Sequence, residues 1–154
     1  MSEDGAKTLG FESTSQWLDF NRAIIEEFRA NGGRCGGRFE GNPMILLNMR
    51  GGKSGRELTT PLSYCADGDD CIVFASAGGS PKHPGWYFNL VANPDVVVER
   101  GSEKYAAKAV LTKGAERQTA FETMVAAMPR FGEYQSKTSR EIPVFRLMHR
   151  SDGA

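Results

Sequence analysis

Short extended segments separated by tight turns dominate the first half of this chain and limit the folds it can adopt. The apolar segment 44–47 is followed by a glycine-rich turn at 51–55, and a second extended segment, 56–65, leads to the hairpin signal Asp67-Gly68. A third apolar segment spans residues 71–75. Segments this close together pair as antiparallel hairpins, because a parallel pair needs a crossover of about a dozen residues or more.

The remainder of the chain predicts further strands with helices around them. Strands are expected at 95–100, 103–111 and 143–148, and helices at about 13–30, 84–93 and 115–128, with Phe131 and Tyr134 in a short turn after the last helix. The total is about six strands and three peripheral helices. We therefore predict a mainly β protein with peripheral helices (α+β), in which an antiparallel sheet closes into a small barrel.

The N-terminal region predicts a flexible tail at residues 1–12 and a single domain over 13–154. A capping-box pattern, Ser13-x-x-Gln16, precedes apolar residues at helical spacing, namely Trp17, Phe20, Ile24 and Phe28. The apolar face favours docking on the domain. Peripheral contact with a membrane stays open as an alternative, although a polar face with both signs of charge does not favour anionic lipid.

Composition excludes several other classes of protein. With 19 basic and 19 acidic residues the formal net charge is zero, which implies no general attraction to nucleic acid. Three cysteines do not suggest a secreted disulfide scaffold, and Cys65 and Cys71 are expected to be buried free thiols. The two histidines show no ligand spacing, so no metal is expected. No signal peptide or membrane span is visible, and a cytoplasmic location is predicted.

The glycine-rich turn contains Gly52-Lys53-Ser54, the ending of a phosphate-binding P-loop. The complete pattern needs a glycine where this chain has Leu47, and it needs a following helix where this chain has a β-like segment containing Pro61. The sequence therefore argues against a nucleotide triphosphatase. Glycines beside a cation still suit an anionic ligand, while an ordinary hairpin with solvated Lys and Arg side chains remains the alternative.

Five blocks of sequence keep the order and separation seen in one known family. They are Gly52-Lys53-Ser54-Gly55-Arg56, Thr60-Pro61-Leu62, Ala75-Ser76-Ala77-Gly78-Gly79, the segment 84–94, and Glu133-Tyr134-Gln135 with 140–144. Together they resemble the deazaflavin-dependent nitroreductases, actinobacterial enzymes that use coenzyme F-420. The resemblance covers residues from about 36 to 144. It implies the antiparallel split β-barrel shared with FMN-binding oxidases and reductases.

The resemblance implies an oxidoreductase that transfers a hydride from reduced F-420 to an enone, a quinone or a nitroaromatic. The residue content agrees, since no Ser-His-Asp set, Cys-His pair or paired carboxylates are visible, and such a chain suits chemistry carried by a cofactor. An FMN-dependent reductase on the same fold, or a non-catalytic carrier of a cofactor or fatty acid, remains an alternative. The expected partner is a small acceptor molecule, and the choice between monomer and dimer stays open.

The resemblance also implies roles for individual residues. Lys53, Ser54 and Arg56 would hold the phosphodiester and acidic tail of F-420, since Lys and Arg bind phosphate and carboxylate. The complete set of implied cofactor contacts is Gly52, Lys53, Ser54, Arg56, Leu58, Thr59, Thr60, Pro61, Leu62, Ser76, Ala77, Gly78, Gly79, Gly85, Trp86, Tyr87 and Asn89. Gly52 and Leu58 stand where the nitroreductases have basic residues, and Ala77 stands where they have Lys. Arg50 and Arg56 are expected to compensate.

The acceptor side implied by the resemblance comprises Ser63, Phe131 and Tyr134, with Tyr134 as a candidate proton donor and Ser76 as a second catalytic candidate. Ser63 and Phe131 each replace a Tyr of the nitroreductases. Because the acceptor side has changed most, an enone or quinone reductase is as well supported as a nitroreductase.

Overall fold

A computed structural model describes residues 14–35, 43–53, 55–75, 85–139 and 141–150, with side chains from residue 19 onward. Within these ranges the helices are α1 (Thr14–Ala30), α2 (Gly85–Ala92), α3 (Gly114–Ala127) and α4 (Arg130–Ser136). The strands are β1 (Met44–Arg50), β2 (Glu57–Ser63), β3 (Cys65–Asp67), β4 (Asp70–Phe74), β5 (Asp95–Arg100), β6 (Glu103–Leu111) and β7 (Val144–His149).

These strands form one antiparallel sheet in the order β2-β1-β5-β6-β7-β4-β3. Two of its hairpins turn at glycines in the left-handed region, Gly68 with φ 63° and Gly101 with φ 60°, where other residues are strained. β2 and β3 are the two edges of the sheet, although Tyr64 alone separates them in sequence. The sheet therefore curls back on itself and stays open between its edges, which is the predicted split β-barrel.

The segment 56–65, predicted as one strand, forms β2 and the first residue of β3. Pro61 is tolerated in β2 because an edge strand has no second neighbour that needs its missing N–H. Tyr64 then leaves the β2 ladder, and its N–H donates to the Pro43 carbonyl at 3.4 Å. The expected count of about six strands was therefore too low.

The two faces of the sheet pack into different apolar clusters. Ile45 and Leu47 of β1 belong to a central cluster on the inner face. On the outer face, Ile72 and Phe74 of β4 pack with α3 and α4 in a second cluster. This alternation follows from the two-residue period of a strand.

Helix α1 packs on the outer face of β1. Ile24 and Phe28 retain 7% and 1% exposure and contact a cluster that includes Leu46. Arg29 adds a two-point ion pair with Glu99 of β5, at 3.1 Å from Nε to Oε1 and 2.8 Å from Nη2 to Oε2. The predicted docking on the domain agrees with this packing. The capping box at 13–16 lies outside the side chains described.

None of the helices in the described ranges is long and apolar enough to cross a membrane.

Two local expectations were wrong. Phe131 and Tyr134 lie in helix α4 rather than in a turn, because Pro129 has the helical φ of −56° and starts a new helix directly after α3. Cys65 and Cys71 are both free thiols. Cys71 is buried as predicted, but Cys65 at the sheet edge is partly exposed.

Candidate functional site

The glycine-rich turn predicted to bind an anion connects β1 to β2. The Gly51 N–H donates to the Arg56 carbonyl at 2.8 Å, and the Gly55 N–H donates to the Gly51 carbonyl at 3.0 Å. Gly55 has φ +70°, which a side chain would strain. Lys53 and Arg56 are exposed at this turn, so cationic side chains lie beside closely spaced main-chain groups. Ser54 lies outside the described residues.

Two asparagines, Asn89 in helix α2 and Asn93 directly after it, hold the turn in place. The Asn89 Oδ1 accepts a hydrogen bond from the Gly52 N–H at 3.0 Å, while its Nδ2 donates to the Met49 Sδ at 3.6 Å. The Asn93 Nδ2 donates to the Arg50 carbonyl at 3.4 Å. Asn89, predicted as a cofactor contact, thus uses both ends of its amide to position the turn.

Close packing against α2 accounts for the glycine at position 52. A Cβ atom there would lie 3.2 Å from the Cβ of Ala92 and 3.4 Å from the Phe88 carbonyl oxygen. A larger residue would push the turn away from the helix. Arg50, expected to compensate for the missing basic residue, lies at the same turn, with Nη1 3.5 Å from the Gly55 carbonyl oxygen.

The predicted contacts on β2 divide between the two faces of the sheet. Leu58, Thr60 and Leu62 lie opposite inner-face residues of β1 and share that face. Thr60 is buried, Leu62 packs against the central cluster, and Leu58 is 42% exposed. Thr59 and Pro61 lie on the other face, so the five consecutive positions do not line one surface.

Thr59 takes part in a polar network on the outer face. Its hydroxyl donates to the Asn48 Oδ1 at 2.6 Å, and the Asn48 Nδ2 donates to the Glu99 Oε2 at 2.9 Å. The hydrogen bond from Arg29 is the main cause that lowers the pKa of Glu99. Thr59 therefore connects β2 to helix α1 rather than sharing the inner face with Thr60.

Two aromatic residues of α2 border the central core. The rings of Trp86 and Tyr87 lie 6.0 and 5.9 Å from the ring of Phe145, centroid to centroid. Both are partly buried against the central cluster. Gly85 is exposed at the first position of α2. Residues 76–79, predicted to meet the deazaflavin ring, lie outside the described ranges, between the end of β4 and α2.

The residues predicted on the acceptor side lie at the end of β2 and on α4. Phe131 is 6% exposed, and its ring centroid lies 5.3 Å from that of Phe74 and 5.4 Å from that of Tyr134. Phe131 therefore lies in the core and supports helix α4 from beneath. Tyr134 is partly buried, and in the described part of the chain its hydroxyl has no hydrogen-bond partner.

Arg130 joins these two elements, and the sequence analysis did not single it out. Its Nη2 donates to the Ser63 Oγ at 3.0 Å and lies 3.6 Å from the Met128 Sδ. The guanidinium carbon is 5.2 Å from the centroid of the Phe131 ring. The available sequence signal was a cation placed among apolar and aromatic residues directly after Pro129.

The family model for F420H(2)-dependent quinone reductase matches residues 20–149, a range that contains both the glycine-rich turn and helix α4. The chain belongs to this family. An F420H(2)-dependent quinone reductase of Mycobacterium tuberculosis (strain ATCC 25618 / H37Rv) is 39% identical over 127 residues, which is 80% of this chain and 85% of the relative. The predicted membership among F-420-dependent reductases, and with it the cofactor, is confirmed.

Solved structures agree with the fold. An F420-H2-dependent reductase, FDR-A, has a TM-score of 0.65 and 40% identity, covering 68% of this chain and 93% of that one. A chain described as a domain-swapped dimer has a TM-score of 0.67 and 36% identity, covering 88% and 99%. A FAD-binding protein from Mesorhizobium loti shares the fold at 13% identity, with a TM-score of 0.51 and coverage of 84% and 88%.

Proposed function

We propose that this family member oxidises reduced F-420 and reduces a quinone-type acceptor. The observation that carries the proposal is the family match over residues 20–149, which spans the cation-bearing turn. The relative from Mycobacterium tuberculosis is named for quinone reduction. Among the acceptors expected from the sequence, the quinone is therefore preferred over the enone and the nitroaromatic.

The groups at the turn fit the acidic part of F-420. Lys53 and Arg56 place two positive charges at the surface of this turn, and side chains of this kind bind phosphate and carboxylate. Asn89 fixes the turn through the Gly52 N–H, and a preorganised turn loses less conformational freedom on binding. Ser54 and the main chain of 76–79 complete the proposed contacts.

The inner face of β2 and helix α2 are the proposed boundary of the deazaflavin ring. Leu62, Trp86 and Tyr87 pack on the same central cluster, and Thr60 lies on the same face of β2. Bound F-420 supplies the hydride. The residues of the chain orient the ring, hold the acceptor carbon or oxygen within reach and exclude water.

Tyr134 is the proposed proton donor on the acceptor side. Reduction leaves negative charge on a quinone oxygen, and the Tyr134 hydroxyl, which has no hydrogen-bond partner among the described residues, can donate to it. Ser76 is proposed as a second polar group near the reacting ring.

Titration of the purified protein with F-420 and, separately, with FMN tests the proposed cofactor preference. Binding is followed by the fluorescence of each cofactor. We expect F-420 to bind with micromolar affinity or better and FMN to bind much more weakly. Preferential binding of FMN would contradict the proposal and would favour an FMN-dependent reductase on the same fold.

A further inference from the structure

We propose that Arg130 binds the quinone oxygen that becomes negatively charged during reduction, which makes it an acceptor-binding residue of this site. The inference rests on the proposed function. It assigns to Arg130 the stabilisation of an anion and leaves the delivery of the proton to Tyr134.

The position of Arg130 is the first argument. Its guanidinium extends from α4 to the hydroxyl of Ser63 at the end of β2, with Nη2 to Oγ at 3.0 Å. It also lies over the ring of Phe131, which in turn packs edge-on against Tyr134. Arg130 is thus in contact, directly or through one ring, with all three residues predicted on the acceptor side.

The partners of Arg130 are the second argument. Within the described ranges its contacts are with neutral groups: the Ser63 hydroxyl, the Met128 thioether and the Phe131 ring. Nη2 makes both polar contacts, so the donors on Nε and Nη1 of this five-donor group have no partner in the described part of the chain. A partly buried cation without an anion is unfavourable.

Three other partly buried arginines in the described part of the chain, Arg117, Arg146 and Arg150, have carboxylate partners, whereas Arg100 contacts the Gly68 carbonyl and the Tyr64 ring. The Arg146 Nη1 lies 2.8 Å from the Asp67 Oδ2 and 3.2 Å from the Asp70 Oδ2. The Arg117 Nε lies 3.5 Å from the Glu141 Oε1. Among the described residues no carboxylate forms such a pair with Arg130. An anionic ligand at this point would supply the missing charge.

The reaction provides such an anion. Reduced F-420, when bound, would supply a hydride, the hydrogen of a C–H bond with both bonding electrons, to the quinone and would itself be oxidised. The quinone becomes a hydroquinone monoanion, whose oxygen then takes up one proton. Because a guanidinium keeps its own protons at neutral pH, Arg130 donates hydrogen bonds to the charged oxygen, and the proton comes from the Tyr134 hydroxyl. The proton that the cofactor loses besides its hydride passes to solvent, and solvent restores the Tyr134 hydroxyl.

A pair of ligands that differ in charge tests this role without turnover. With oxidised F-420 bound, the affinity of the protein is measured for anionic 2-hydroxy-1,4-naphthoquinone and for neutral 2-methoxy-1,4-naphthoquinone. Arg130→Gln should bind the anion about tenfold more weakly or worse, the loss expected for one charge-assisted hydrogen bond. The affinity of Arg130→Gln for the neutral ligand should stay within about twofold of the wild-type value. Arg130→Lys, which keeps the charge, should bind the anion with an affinity between those of the wild type and Arg130→Gln.

Two control variants separate binding from packing. Arg22→Gln removes the same charge from an exposed position on α1 and should change neither affinity. Ser63→Ala removes the hydrogen bond between β2 and α4 but keeps the cation, so it should lose less of the preference for the anion than Arg130→Gln does. If Ser63→Ala lost that preference as fully as Arg130→Gln, Arg130 would act by packing alone and the inference would fail.

The inference and the proposed function fail in different ways. A wild-type protein that does not bind F-420 contradicts the function itself. A wild-type protein that binds F-420 and reduces quinones, while Arg130→Gln keeps the full preference for the anionic ligand, contradicts the role of Arg130 alone. If Arg130→Gln does not fold, the comparison of wild type with Arg130→Lys decides, and an unchanged preference there overturns the inference.

Discussion

At the scale of single residues, one side chain supplies the charge at the turn between β1 and β2, and a different side chain fixes the backbone of that turn. Lys53 is exposed, whereas Asn89 is engaged through both ends of its amide with Gly52 and Met49. The cation is therefore free to reach a ligand, and the amide keeps the backbone in place. The two functions should respond differently to salt, because screening weakens exposed charges more than internal hydrogen bonds.

Replacing Lys53 tests the charge. Lys53→Ala should weaken F-420 binding by about 1.5–3 kcal/mol, the usual range for a hydrogen bond to a charged group, and the difference should shrink as salt is added. Fluorescence titration at low and high salt measures it. Lys108→Ala, which removes an exposed lysine from β6, is the control. An unchanged dissociation constant for Lys53→Ala would mean that Lys53 is merely a solvated hairpin side chain.

Replacing Tyr134 tests the proton donor. Tyr134→Phe keeps the ring that packs on Phe131 and removes only the hydroxyl. Turnover with a quinone should fall by about 10²–10⁴-fold, the range for general acid catalysis, while F-420 affinity stays unchanged. Steady-state rates and cofactor titration give both quantities. A loss of less than a few-fold would leave Tyr134 with a packing role, and weakened F-420 binding would place it on the wrong side of the site.

Local sequence patterns predicted the turn of the candidate site but not the contacts between distant residues. The glycines, the lysine and the following strand are contiguous, so they identified the turn. The different faces of Thr59 and Thr60 depend on the register with β1, which no local pattern provides. Arg130 was missed because its partner Ser63 lies 67 residues earlier in the chain. Asn89 was predicted as a cofactor contact, but its hydrogen bond to the turn depends on where α2 packs.

At the scale of elements, helix α1 is held by packing and by one polar network. Phe28 is almost fully buried on β1, and Arg29 binds Glu99, which also accepts from Asn48. Since Asn48 accepts from Thr59, the network reaches the strand that follows the turn. The docking of α1 and the position of β2 are therefore physically connected.

This network predicts a dependence of stability on pH. Arg29 lowers the pKa of Glu99 in the folded protein below its usual 4.5, so folding favours the ionised carboxylate. The resulting stabilisation is present above about pH 4.5 and is lost as the pH falls through the lowered pKa. Urea unfolding should therefore show that the wild type loses more stability than Glu99→Gln between about pH 5 and pH 3.

Glu103→Gln is the matched control for this experiment, because it replaces an exposed carboxylate at the start of β6. Its acid response should follow that of the wild type. If Glu99→Gln and the wild type lost stability in parallel, the ion pair would not contribute to the docking of α1.

Element boundaries were predictable where strong turn residues mark them. The hairpin at Asp67-Gly68 and the strands on either side of Gly101 follow their sequence signals. Helix α4 was not predicted because Pro129 ends one helix and begins the next, and a proline signals both events in the same way. The division of 56–65 into two strands arises where the sheet curls, which is a property of the complete barrel.

At the scale of the whole molecule, the split between the sheet edges brings distant segments of the chain to one site. The turn and β2 come from the first half of the chain, while α4 packs on the outer face of the strands at the opposite edge. Arg130 spans the two parts. A cofactor bound along β2 and an acceptor near α4 would meet in this split. Transfer of a hydride from reduced F-420 to a quinone there is the central claim of the proposed mechanism.

The most direct test of that claim follows both substrates in one reaction. Purified protein is mixed without oxygen with reduced F-420 and a soluble naphthoquinone, and the absorbance of oxidised F-420 and of the quinone are recorded together. We predict that one quinone is consumed for each F-420 oxidised, at a rate proportional to protein concentration, and that reduced FMN does not replace reduced F-420. Turnover with reduced FMN and none with reduced F-420 would contradict the account.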